Sequence, residues 1–174
     1  MKERRFRKIK VNSDDKIVLN YDEENKNGDW DEYSMVCGEK ALPEFYEAMK
    51  NLSSFVLDMC ELPKGDSSKI RVKGVSFSYG GDNDTMGATI TASKLLTHSN
   101  TDLNLNTPHK IEEFYSENGD ENQLMPDGCA YALEELIKQA ERFLDGEREQ
   151  LDIFSEDAEK EEVPEEKESE PVEA

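Results

Sequence analysis

A chain of 174 residues is long enough for one domain with a substantial hydrophobic core and too short for two ordinary ones. Its 41 acids against 21 Lys and Arg leave a net charge of −20, distributed as +5 over residues 1–10, −14 over residues 11–144 and −11 over residues 145–174. An acidic body repels phosphate backbones, which disfavours bulk affinity for nucleic acid, and no run approaches the ~20 apolar residues that cross a bilayer.

The basic start MKERRFRKIK leads into polar residues instead of a signal-peptide core, so the expected location is the cytoplasm, with no membrane partner. Residues 6–11 (FRKIKV) place Phe6, Lys8 and Lys10 on one side and Arg7, Ile9 and Val11 on the other, the pattern of an edge strand. Residues 16–21 and 30–37 are β-rich runs flanking Asn27-Gly28, a pair suited to the two positive φ angles of a tight hairpin. From Leu42 and Pro43 onward, Phe45, Met49, Leu52, Val56 and Met59 recur at intervals of three and four, which predicts one amphipathic helix ending near Leu62-Pro63.

Ile70 and Val72 then alternate up to Gly74, after which Val75, Phe77 and Tyr79 resume on the shifted phase, so Gly74 marks a bulge. After the Gly80-Gly81-Asp82-Asn83-Asp84 turn, Met86, Ala88, Ile90 and Ala92 share one face of a second strand, giving a hairpin. Residues 97–123 are polar and read as a long binding loop. Pro126 opens a second helix whose apolar face is Cys129, Leu133, Leu136, Ile137, Ala140, Phe143 and Leu144. Residues 155–174, nearly all Glu, Asp, Lys, Ser, Pro and Val, are expected to be disordered.

The class is therefore α+β: a twisted antiparallel sheet of four to five strands, two amphipathic helices and an acidic C-terminal tail. Residues 1–149 form the domain with its basic arm, and residues 150–174 form a peptide and tail.

Cys37, Cys60 and Cys129 are widely spaced and read as reduced core thiols, and His98 and His109 have no metal-ligand spacing, so neither a metal nor a cofactor is expected. The acidic turn at 80–84 fits neither a calcium loop nor a phosphate loop. Asn104, Asn106, Thr107, His109, Glu112, Glu113 and Tyr115 cluster in the long loop, but without a nucleophile elbow or metal motif they favour partner binding over catalysis. The arm of Lys2, Arg4, Arg5, Arg7, Lys8 and Lys10, with Phe6 between the charges, is a candidate single-strand binder in which the aromatic stacks on a base. Protection of an edge strand is the competing use of the same charges.

The segment Gln150-Leu151-Asp152-Ile153-Phe154 resembles the bacterial sliding-clamp-binding motif Q-L-[S/D]-L-F of polymerases, repair factors and clamp loaders, matching at four of five positions. Ile153 stands where that motif has Leu, a change of similar volume. The resemblance implies that Gln150 makes the polar anchor while Leu151, Ile153 and Phe154 fill an apolar groove. In competition with this, Leu151 and Phe154 also extend the apolar stripe of Leu133, Ile137, Ala140 and Leu144, as they would if the second helix ran on.

The stretch from Val75 to Gln150, with VSFSYGG, MGATITASKLL, LNLNTPH, YSENGD and DGEREQ, resembles small acidic proteins encoded by tailed phages and prophages. Together these features imply a non-enzymatic phage accessory factor of DNA replication or recombination whose partner is the bacterial sliding clamp. Two alternatives stand beside it. One is an acidic nucleic-acid mimic that inhibits a host defence or DNA-binding protein, and the other is a single-strand DNA-binding factor.

Overall fold

In the computed structural model, residues 3–115 and 117–150 are described. Three strands open the chain: β1 (Arg4–Val11), β2 (Ile17–Glu24) and β3 (Trp30–Cys37). Two short helices follow, α1 (Pro43–Lys50) and α2 (Ser53–Met59), then a 3-10 turn at Lys64–Lys69 and the long hairpin β4 (Ile70–Gly80) and β5 (Thr85–Leu96). β6 (Thr101–Asn106), β7 (Lys110–Ile111) and α3 (Cys129–Leu144) complete the fold. The strands run β3-β2-β1-β4-β5-β6, every neighbour antiparallel, with β7 sharing the outer edge of β5. This is an α+β architecture with seven strands among the described residues, more than the four to five expected.

One face of the sheet is the core. Leu19, Ile9, Val75 and Ile90 lie in one row across β2, β1, β4 and β5, and none is more than 2% exposed. Against them pack Phe45 and Met49 from α1, Leu52 from the break that follows it, Val56 from α2, and Leu133, Leu136, Ala140 and Phe143 from α3. Burying each such side chain contributes about 1.5–3 kcal/mol, so this layer holds the helices to the sheet. The adjacent row on the other face is Ser34, Asn20, Lys8, Ser76 and Thr89, which makes that face polar and open.

Several expectations change. The arm is no edge strand: β1 lies between β2 and β4. A bulge between Phe6 and Lys8 accommodates Arg7 as an extra residue, so Phe6 joins Ile9 on the core face and Lys8 moves to the open one. The helix expected over 42–62 is two helices. At Leu52 the ladder falls back to an i→i−3 bond to Met49, and the Ser53 hydroxyl donates to the Lys50 carbonyl at 2.7 Å. The apolar stripe survives this break, with Phe45, Met49, Leu52 and Val56 all buried.

The polar stretch 97–123 is not one loop, since it contains β6, β7 and a 3-10 turn at Glu121–Gln123. In the turn between β2 and β3 only Gly28 takes a positive φ (83°), and Asn25 organises the turn through its side-chain oxygen. α3 begins at Cys129 after Gly128 (φ 83°) rather than at Pro126. The bulge expected at Gly74 is present, between Val72 and Gly74. Residues 155–174, expected to be disordered, lie outside the described residues.

Candidate functional site

β1 carries the charges of the basic arm, and its bulge decides where each goes. Arg4 pairs with Glu23 at 3.2 Å and Asp145 at 3.3 Å. Arg5 reaches Asp84 at 2.7 Å with its guanidinium 4.1 Å from the centre of the Trp30 ring. Arg7 binds the buried Asp22 carboxylate at 2.6 Å. Phe6 is 1% exposed and offers no face for a base to stack on, because the bulge turns it into the core. Lys2 lies outside the described residues. The three arginines thus meet carboxylates of the same chain, whereas Lys8 and Lys10 emerge on the open face.

There Lys8 stands opposite Asn20 and Ser76, and Lys10 opposite Val18 and Gly74. Lys73, at the bulge of β4, sends its Nζ to the Oδ1 of Asn104 at 3.1 Å. Around them Ser34 donates to Asn20 at 2.9 Å and Thr91 donates to Asn106 at 3.0 Å. None of the chain's 41 acids lies on β1, β4 or β5, three consecutive strands of the sheet. Lys8, Lys10 and Lys73 make no ion pair among the described residues. Lys73 and Arg71 were not read as site residues from the sequence. The phase shift at Gly74 is the signal for the bulge from which Lys73 reaches Asn104 on β6.

Tyr79 fills the gap where β1 and β4 diverge, donating its hydroxyl to the Phe6 carbonyl at 3.0 Å. Burial pushes its phenol up, with Arg7 and Arg5 acting against that.

The segment after β6 folds over one end of the open face, and glycines make room for it. His109 Nε2 lies 2.7 Å from the Ser78 hydroxyl, above Gly87, where a Cβ would stand 2.5 Å from that nitrogen. Tyr115 rests on Gly80 and Gly81. A cavity of about 320 Å³ remains beside them, lined by His109, Ile111, Phe114, Tyr115 and Gln123 among others. A Ser–His pair has the contact of a nucleophile with its base, but the other ring nitrogen has no hydrogen bond among the described residues, so no third group orients the imidazole. The contact fastens this segment to the sheet.

The nearby carboxylates are not brought to the imidazole: Glu112 and Glu113 line a separate cavity with Arg4, Arg5 and Glu134. Burial, then the charges of Glu134 and Glu113, raise the Glu112 carboxyl above the ordinary range. A carboxyl raised in the folded state contributes stability below its unfolded pKa and loses it as pH rises through the folded value. Glu112→Gln should therefore raise the melting temperature at pH 7, and the difference from the parent should vanish below about pH 4, the ordinary carboxyl range. A pH series of thermal melts checks both.

The end of α3 bears on the pentapeptide. Gly146 (φ 98°) donates to the Phe143 carbonyl at 3.2 Å and Glu147 to the Arg142 carbonyl at 3.0 Å, a Schellman closure that stops the helix after Leu144. The chain then turns back along the fold. The Arg148 guanidinium lies 3.5 Å from the centre of the Phe143 ring and 2.8 Å from Glu39, and the Glu149 amide donates to the Lys40 carbonyl at 3.2 Å. Gln150 is exposed, and Leu151, Asp152, Ile153 and Phe154 lie outside the described residues. A helix running on through Gln150 is ruled out by the Gly146 turn.

Cys129 is buried, which pushes its thiol up to about 11 and makes it a poor nucleophile, while Cys37 and Cys60 are half-buried and unpaired. Among the described residues no group of three or more His, Cys, Asp or Glu side chains is placed to hold a metal ion, and no helix is long and apolar enough to cross a membrane. No family model, no curated protein and no solved structure matches this chain.

Proposed function

We propose that this protein is a non-enzymatic, phage-type accessory factor of DNA replication or recombination that docks on the bacterial sliding clamp through Gln150, Leu151, Asp152, Ile153 and Phe154. The observation that supports it best is the exit of the chain from α3. The Schellman closure at Gly146 and the anchoring of Arg148 and Glu149 bring Gln150, the first residue of the motif, to the surface outside any helix. Docking of this kind recruits the domain to the clamp and excludes other proteins that use the same groove.

Calorimetry of the full chain with purified clamp at two salt concentrations tests the proposal. Leu151→Ala/Phe154→Ala should weaken binding at least tenfold, as expected when apolar hot spots are truncated, while the melting temperature stays unchanged. Equal affinity of parent and variant would sink it. Binding that survives the double substitution and falls steeply with salt would point instead to an acidic mimic, using the carboxylates of Glu44, Glu47 and Glu135 that line the groove between α1 and α3.

A further inference from the structure

We propose that the open face of the sheet, centred on Lys8, Lys10 and Lys73, binds single-stranded nucleic acid through its phosphates. Composition argues against this, since a charge of −20 should repel a polyanion. The fold changes the argument by separating the charges. β1, β4 and β5 hold no acid, and the acidic side chains of α1 and α3 lie behind them on the far side of the core. A helix is about 10–12 Å across, so carboxylates on its outer surface are separated from the open face by more than the ~8 Å screening length at physiological salt.

On that face the three lysines make no ion pair among the described residues, and Arg71 adds a cation held only by Asp15 at 3.7 Å. The surrounding Asn20, Asn104 and Asn106 accept hydrogen bonds within the face through their Oδ1 atoms, which leaves their NH2 groups to donate to phosphate oxygens or base edges. A single strand fits better than a duplex. β2 also places Asp22, buried and bound by Arg7, and Glu24 on this face, and its rims carry Glu32 and Asp102; a duplex, stiff over about 150 base pairs, would run straight across these acids, whereas a flexible strand can stay on the lysines. No aromatic ring stands in the rows through Lys8 and Lys10, so phosphate contact without base stacking is expected, with affinity set by salt rather than by sequence.

Fluorescence anisotropy of the full chain with a labelled oligothymidylate of about 16 nucleotides tests this. The parent should bind at 50 mM salt, with a logarithmic salt slope of about −2 for three phosphates, at about 0.7 per contact on a single strand. Lys8→Gln/Lys10→Gln/Lys73→Gln should lose about tenfold in affinity and most of that slope, with the melting temperature retained. Lys138→Gln, on α3, should change neither.

The Leu151→Ala/Phe154→Ala variant should bind the oligonucleotide as the parent does, so failure here and failure of clamp docking are distinguishable. No binding by the parent, equal binding by the triple variant, or equal binding of duplex would overturn the proposal. A polyglutamate of similar length that binds as tightly would also overturn it, and would make the face a seat for acidic peptide.

Discussion

Gly74→Val is expected to destabilise the protein by about 3 kcal/mol, read as a fall in the urea midpoint with no change in the slope of the transition. A Cβ at this position would stand 2.9 Å from the Ile9 carbonyl oxygen, 3.0 Å from the Lys10 Cβ and 3.1 Å from the Lys10 Cα. Two of those atoms are backbone, so no side-chain rotation relieves the clash and β1 must move away from β4. These strands pair only through Lys8, Ile9 and Lys10 against Ser76, Val75 and Gly74. That short ladder joins β3-β2-β1 to β4-β5-β6, so separating it opens the sheet down its middle. Gly74→Ala should do the same to a smaller degree. A midpoint within error of the parent would mean that β1 slides past β4 at little cost, and would remove the basis for treating Lys8, Lys10 and Lys73 as one surface.

Phe143→Ala is expected to cost about 3–5 kcal/mol, the range for removing a buried aromatic and leaving a cavity. Phe143 is 1% exposed, its ring centroid lies 6.5 Å from that of Phe45, and its other side carries the Arg148 guanidinium. One substitution thus loosens the packing of α1 on α3 and the segment that leads to Gln150. For a domain of this size a loss of that order lowers the melting temperature by roughly 10–15 °C. Tyr131→Ala on the same helix, where the ring is 69% exposed, should stay within about 0.5 kcal/mol of the parent. Comparable losses in the two variants would mean that α3 is held by something other than its buried stripe.

The elements legible from residue order are those with strong local patterns. The stripes Phe45, Met49, Leu52, Val56 and Leu133, Leu136, Ala140, Phe143 all face the core, because a helical period is a local property that packing preserves. The phase change at Gly74 likewise marks its bulge, since side chains on a strand alternate strictly. β6 went unseen for the complementary reason. Its Leu103 and Leu105 alternate with Asn104 and Asn106, but the strand is mostly exposed and held by backbone bonds to β5, so it carries little hydrophobic signal. The basic arm misled as an edge strand because the bulge at Arg7, which resets its faces, is created by pairing with β2 and leaves no mark in the residue order.

By itself the sequence determined the α+β class, the two apolar helical faces and the β4–β5 hairpin, because each depends on residues close together in the chain. Only the tertiary structure decided how charge is arranged. Arg4 and Arg7 are matched by Glu23 and Asp22 of the neighbouring strand and Arg5 by the distant Asp84, while Lys8, Lys10 and Lys73 make no ion pair among the described residues. A net charge sums over the whole chain and carries no position. Screening within about 8 Å makes the local arrangement the one a ligand meets, and strand order sets that arrangement.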